Sequence, residues 1–276
     1  YPVVESIRSA LQLCDEFVVA AGDSSDGTTE LLRSIGDPRL RIIETVWDPA
    51  QFTRGASNAQ QTNIALDACT GDWAFYLQAD EVLHEGDVPG LRERLAAYRD
   101  DRRIDGLLFE YLHFYADYDH YQAAHNWYRR EVRIVRTGSG IRSWKSAQGF
   151  RRDGRKLHVA LAGARIFHYG WVRPPLQMTR KSRALGTVRV GEAAARQSVP
   201  DLDVGFDFGQ LHGRRRFTDT HPAVMLPRIA ACQWAVQPTA TEQKHDRAAQ
   251  RALSWVENQL LGFRLGEHRN YILLPA

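Results

Sequence analysis

The sequence predicts an α/β fold: a mostly parallel sheet flanked by helices, with a C-terminal helical extension. Two observations predict it. Up to Tyr115, short apolar runs alternate with segments whose apolar residues recur at helical spacing, the signature of a sheet with crossover helices. Beyond Pro174 the strand-like runs give way to helical spacing. At 276 residues the chain is long for one domain and short for two, which suits one core with an appendage.

Val4, Ile7 and Leu11 recur at helical spacing after Pro2, a residue that favours helix starts. Residues 17–21 read as a short buried strand, 22–27 as a loop and 28–35 as a short helix. A second strand covers 40–43, and a loop with Trp47, Pro49 and Gly55 leads to a helix near 58–69. A third strand, 73–77, ends at Gln78-Ala79-Asp80-Glu81. Val88, Leu91, Leu95 and Tyr98 mark another amphipathic helix, and 104–114 another strand. Shorter strands joined by glycine turns follow at 131–136, 141–144, 157–161 and 165–169. In the last helix, Ala249, Leu253, Val256 and Leu260 form an apolar stripe expected to pack on the core.

A hydrophobic fraction of 43% and a charged fraction of 25% exclude a disordered or collagen-like chain. A net charge of +3 is too small to require nucleic acid as partner, and the run Arg214-Arg215-Arg216 reads as a solvated turn. Among 36 basic residues only Lys145, Lys156, Lys181 and Lys244 are lysines, a skew that we read as coding bias. Cys14, Cys69 and Cys232 lie far apart without a C-x-x-C, so neither a disulfide framework nor a zinc ribbon is expected, and a reducing cytoplasm fits. No apolar run approaches the ~18 residues of a membrane span. The chain begins at Tyr1 without Met and enters a helical pattern at once, so a segment upstream of it is expected.

In open α/β sheets, ligands bind at the carboxyl ends of the strands. Two loops there are polar: Gly22-Asp23-Ser24-Ser25-Asp26-Gly27-Thr28, which opens a helix, and Gln78-Ala79-Asp80-Glu81. Taken singly, the first reads as a turn in which Asp26 caps a helix and the second as surface charge. Together with Gln61-Thr62-Asn63-Ile64-Ala65 and Gly71-Asp72-Trp73, in this order, they resemble the family 2 glycosyltransferases of the GT-A fold, a Rossmann-like architecture. Trp127-Tyr128-Arg129-Arg130 and Phe167-His168-Tyr169-Gly170-Trp171 resemble a bacterial subgroup. The chain departs from the family pattern in lacking the usual first strand, in having Ala20 and Ala21 where the first loop Asp stands, and in having Gln78 for the first Asp of D-x-D.

The resemblance implies a metal-dependent, inverting transfer of a sugar from a UDP- or GDP-linked donor to an acceptor hydroxyl of a glycan or lipid-linked acceptor, in bacterial surface glycan synthesis. It implies a catalytic core over 1–173 and a mainly helical extension over 174–276 packed on it. Asp23, Asp26, Gly27, Thr62, Asn63, Gln78 and Asp80 would hold the nucleotide sugar, with Arg54, Trp171 and Arg173 facing the pyrophosphate or acceptor. Asp80 and His168 would hold Mn²⁺ or Mg²⁺, which neutralises a departing diphosphate. For the general base we take Glu131, with Glu110 and Asp117 as alternatives. The implied location is the cytoplasm, with peripheral contact at the inner face of the membrane left open. The aromatic stretch 109–128 reads as core at Phe109 and Tyr111 and as either core or acceptor platform beyond. A nucleotide-binding pseudoenzyme or regulatory module of the same fold is the alternative reading.

Overall fold

The computed structural model describes residues 1–47, 56–266 and 269–275. The first part of the chain runs α1 (Val3–Ala10), β1 (Phe17–Gly22), α2 (Thr28–Arg33), β2 (Leu40–Thr45), α3 (Ala56–Ala68), β3 (Trp73–Phe75), β4 (Glu81–Leu83) and α4 (Val88–Ala97). A strand-rich part follows with β5 (Gly106–Tyr115), β6 (His120–Gln122), β7 (Arg130–Arg136), β8 (Ile141–Trp144), β9 (Gly149–Arg152) and β10 (Arg155–Trp171). The remainder contains α5 (Pro175–Val190), α6 (Glu192–Ser198), β11 (Arg214–Arg216), α7 (Leu226–Ala230), α8 (Ala248–Val256) and β12 (Tyr271–Leu273). Among the described residues no helix is long and apolar enough to cross a membrane.

The fold is α/β with a mixed sheet. Strands β1 and β2 pair in parallel as a unit of their own, while ten strands form the larger sheet around β5 and β10. Parallel pairing joins β5 to β10 and β10 to β12. Antiparallel pairing brings β7 and β6 onto β5, β3 onto β7, and β4 onto β10. Strand β10 unites the two strands expected at 157–161 and 165–169. A register shift between Leu161 and Arg165, with Gly163 at φ +62°, absorbs the extra residues as a bulge, so the strand continues past them. The main core lies on this sheet, where Leu83, Leu91, Leu107, Phe109, Ile134 and Ile166 are buried. Phe109 and Tyr111 are core residues, as their apolar strand suggests.

Strand β1 is less buried than its sequence predicts. Of Phe17–Gly22 only Ala21 is buried. The reason is a cavity of about 850 Å³ bounded by β1 on one side and residues 73–79 on the other, with α1, α3 and α4 closing it. Neither β1 nor β3 has a strand partner on that side among the described residues.

The C-terminal part contributes strands as well as helices: β11 pairs with β6, and β12 with β10. The expected apolar stripe of the last helix does not pack inward. Ala249 is exposed, Leu253 and Val256 are only partly covered, and Leu260 is 67% exposed. The buried side of α8 carries Ser254 and then Glu257. Ser254 Oγ accepts from the His125 amide at 2.8 Å, and Glu257 Oε1 meets His125 Nδ1 at 2.7 Å. A π-turn over Glu257–Leu261 then rotates the helix, so a 3.6-residue stripe cannot hold one face through Leu260.

One ion pair anchors the middle of the sheet. Arg133 and Glu81 are both fully buried. Arg133 Nε and Nη2 donate to the two Glu81 carboxylate oxygens at 3.0 and 2.9 Å. Tyr111 Oη and the Gln78 amide donate to the same carboxylate at 2.9 and 3.1 Å. The guanidinium also lies over the Tyr76 and Tyr111 rings, at 5.0 and 5.2 Å. Burial opposes the Arg133 cation, but Glu81 overrides it and holds the guanidinium pKa well above its usual range. Arg133→Met should therefore cost about 3–5 kcal/mol, because it strands a buried carboxylate. Urea unfolding of the two chains at pH 7 measures the difference.

Candidate active site around Asp80

The turn Gln78–Glu81 is held from three directions. The Gln78 amide is bound to Glu81, and the Gln78 carbonyl accepts from Ser6 Oγ of α1 at 3.2 Å. The Asp80 carbonyl accepts from the Tyr169 amide of β10 at 2.8 Å. Strands β4 and β10 run antiparallel with Glu81 opposite His168, so the register sets Asp80 beside the end of β10. His168 Nε2 lies 3.7 Å from Asp80 Oδ1, although the residues are far apart in sequence. Gly170 completes the arrangement: a Cβ there would fall 2.6 Å from both Asp80 Oδ2 and His168 Nε2. The approach of Asp80 and His168 thus depends on the absence of a side chain at residue 170.

Lysine 181, on α5, enters the same site. Its ammonium donates to Asp80 Oδ2 at 3.2 Å and to the Gly170 carbonyl at 2.6 Å. Burial works to raise the Asp80 pKa, but His168, Lys181 and Arg173 outweigh it and hold the carboxyl down at about 2. Burial lowers the His168 pKa, partly offset by Asp80 and Glu81, so the ring is neutral at pH 7. Burial, with His168 alongside, pushes His113 well below its usual range. Burial also lowers the Lys181 pKa, offset by Asp80. Arg173 lies with its guanidinium 3.5 Å from the Tyr1 ring centroid, and its Nε and Nη2 are buried without a hydrogen-bond partner.

The other sequence-predicted residues are distributed unevenly. Asp23, Asp26 and Gly27 sit in an exposed loop after β1. Asp23 Oδ1 accepts from the Trp47 amide at 3.0 Å. Asp26 Oδ1 accepts from the Thr28 amide and hydroxyl at 3.1 and 2.5 Å and from Ser24, so it organises the start of α2 while Gly27 takes a left-handed φ of +81°. Thr62 and Gln78 line the large cavity. Asn63 is engaged elsewhere: its amide group pairs with the Ser143 backbone, at 2.8 Å to N and 3.4 Å to O. Trp171 lies near Lys181, with Nζ 6.0 Å from its ring centroid. Arg54 lies outside the described residues.

Of the proposed bases, Glu131 is buried on β7, opposite Phe109 of β5 and just before the register shift at Arg133. Glu110 is instead bound to Arg130 at 3.0 Å, and Asp117 to Arg214 at 2.7 Å, both near the surface. Arg214 therefore serves an ion pair on a strand rather than a turn. Sequence reasoning missed Lys181, His113 and the anchoring role of Glu81. The scarcity of lysine was the one signal available for Lys181, since only four occur in an arginine-rich chain.

Lys181 makes a test of the site's electrostatics. The folded Asp80 value, about 2, lies below its ordinary 3.8, so its ionised form stabilises the fold at neutral pH. That contribution fades as pH falls from about 4 through about 2. Lys181→Met should destabilise the chain by about 3 kcal/mol at pH 7. The deficit should shrink over the same acid range, where protonation relieves the stranded carboxylate; denaturant titrations across that range read it.

Among curated proteins none matches this chain. Among solved structures, the crystal structure of S. aureus TarS 1-349 aligns with a TM-score of 0.37 and 14% identity, over 72% of this chain and 65% of that one. The chain thus spans about 65% of that structure's length, and a likeness so distant carries no argument about the site. The family model described as Glycosyl transferase family 2 matches residues 2–157, more than half of the chain and including Asp80, His113 and Glu131. By that match, the chain belongs to glycosyl transferase family 2.

Proposed function

We propose that this chain transfers a sugar from a nucleoside diphosphate sugar to an acceptor hydroxyl, with a divalent cation held by Asp80 and His168. The observation that carries the reading is the convergence of Asp80 Oδ1 and His168 Nε2 at 3.7 Å, beside a residue, Gly170, that has no side chain to come between them. One carboxylate and one neutral imidazole facing each other suit Mn²⁺ or Mg²⁺, the imidazole favouring Mn²⁺. Among the described residues no group of three or more His, Cys, Asp or Glu side chains could hold a metal, so diphosphate oxygens and water would complete the coordination. Bound there, the cation would neutralise charge on the departing diphosphate.

The chain's own residues would do the rest. Lys181 and Arg173 add positive charge beside Asp80 for an anionic leaving group. Thr62 and Gln78 line the cavity beside β1 and would contact the nucleotide with Asp23, Asp26 and Gly27 at the carboxyl end of that strand. Glu131, buried on β7, would take the acceptor proton in an inverting transfer. The donor would be UDP- or GDP-linked and the acceptor a glycan or lipid-linked hydroxyl. By family resemblance the work would be done in bacterial surface glycan synthesis at the inner face of the membrane.

A nucleotide-binding module without catalysis is the competing reading, favoured by one observation: Lys181 already neutralises Asp80. Donor hydrolysis or transfer in a glycan screen separates the two, and metal dependence tests the cation. Calorimetry with UDP and with GDP should show binding in Mn²⁺ that falls at least tenfold with EDTA. Asp80→Ala should reproduce the EDTA result, and Gly170→Ala should weaken Mn²⁺-dependent binding by crowding Asp80 Oδ2 and His168 Nε2. Equal affinity with and without Mn²⁺ overturns the cation assignment, and absence of donor turnover favours the non-catalytic module.

A further inference from the structure

Behind His168 stands a second buried histidine to which the reaction above gives no part. His113 on β5 is the direct cross-strand partner of His168 on β10. The two rings touch through their Nδ1 atoms at 2.9 Å, and His113 Nε2 lies 2.9 Å from the Tyr128 carbonyl oxygen. A carbonyl only accepts, so His113 Nε2 carries a hydrogen. A neutral imidazole has one N–H, so His113 Nδ1 is a lone pair and must accept from His168 Nδ1–H. The proton of His168 is then spent on Nδ1, and its Nε2 is the lone pair that faces the Asp80 carboxylate at 3.7 Å.

The surroundings hold His113 in that orientation. The ring is 2% exposed. It stacks on Tyr111 at 5.2 Å, meets Tyr128 edge-on at 4.4 Å and packs against Trp127 at 5.2 Å. These aromatic walls oppose a ring flip that would exchange nitrogen for carbon at the His168 contact. Part of the aromatic stretch thus holds a histidine, beyond any contact it makes with sugar.

We propose that His113 is a positioning residue that fixes His168 as its Nδ1–H tautomer, so that Nε2 presents a lone pair toward Asp80 and a divalent cation. The cation part rests on the metal reading proposed above; the tautomer part rests on the hydrogen-bond chain of a His113 kept neutral by burial. Imidazole ligands are commonly oriented by a partner at the far nitrogen, and loss of such a partner costs about 10–100-fold in metal affinity.

The test has two arms. Long-range ¹H–¹⁵N NMR of the metal-free chain should show His168 protonated at Nδ1 and unprotonated at Nε2. In His113→Phe that preference should be lost, and in His113→Asn it should return, because the Asn Oδ1 can accept where Nδ1 did. In the second arm, Mn²⁺ binding is followed by electron paramagnetic resonance. His168→Ala should abolish binding, His113→Phe should weaken it about 10–100-fold, and His113→Asn should stay near the parent. A wild-type His168 protonated at Nε2 would overturn the proposal, and this arm needs no variant to fold. So would a folded His113→Phe that binds Mn²⁺ as the parent does while His168→Ala does not. If the parent and His168→Ala behave alike toward Mn²⁺, the cation reading fails and takes the role of His113 toward a metal with it. The NMR arm then shows whether the tautomer was nevertheless fixed.

Discussion

The buried Arg133–Glu81 pair is the constraint on which the site depends. Glu81 sits one residue after Asp80, and its carboxylate binds the Gln78 amide as well as the guanidinium. The turn that carries Asp80 is therefore fixed from its own interior. A charge pair with no solvent exposure is seldom the most stable filling for a core. Here it supplies direction: the guanidinium reads both carboxylate oxygens, and Tyr111 adds a third donor, so the turn has one geometry. Strand β10 then pairs with β4 and brings His168 alongside.

Around that frame, charge is balanced in layers. Asp80 is paired with Lys181 from α5, and Arg173 adds a second cation nearby. His168 is kept neutral by burial, and His113 behind it has its Nε2 against a backbone carbonyl. An anion entering this site would meet two cations, and a cation would meet a carboxylate and an imidazole. Gly170 is required beside them, since any Cβ would lie against both Asp80 Oδ2 and His168 Nε2.

Much of the fold was legible in the sequence because it rests on local pattern. Alternating apolar runs and helical stripes marked β1 to β3, α4, β5, β7 and β8 close to their observed positions. Pattern failed where a long-range partner decided the outcome. Residues 157–171 became one strand because a bulge at Gly163 let β10 stay paired with β5. The stripe Leu253–Leu260 stayed outward because Ser254 and Glu257 found hydrogen-bond partners at His125, and a π-turn changed the helical phase. Residues 17–20 remained half-exposed because a cavity lies beside them, a feature no periodicity reports.

For the site, Asp26, Asp80 and His168 were singled out by the ordered motifs of the family resemblance, since each loop taken alone reads as a turn or as surface charge. By itself the sequence determined the α/β class, the family resemblance and the identity of the two residues that meet over Gly170. Only the tertiary structure decided that Lys181 would sit on Asp80 and that His113 would stand behind His168. It also decided that Asn63 would be engaged by Ser143. The physical reason is that hydrogen bonds and charge pairs act over a few ångströms and are indifferent to sequence distance. Their partners are set by sheet register and helix docking, which no local spacing encodes.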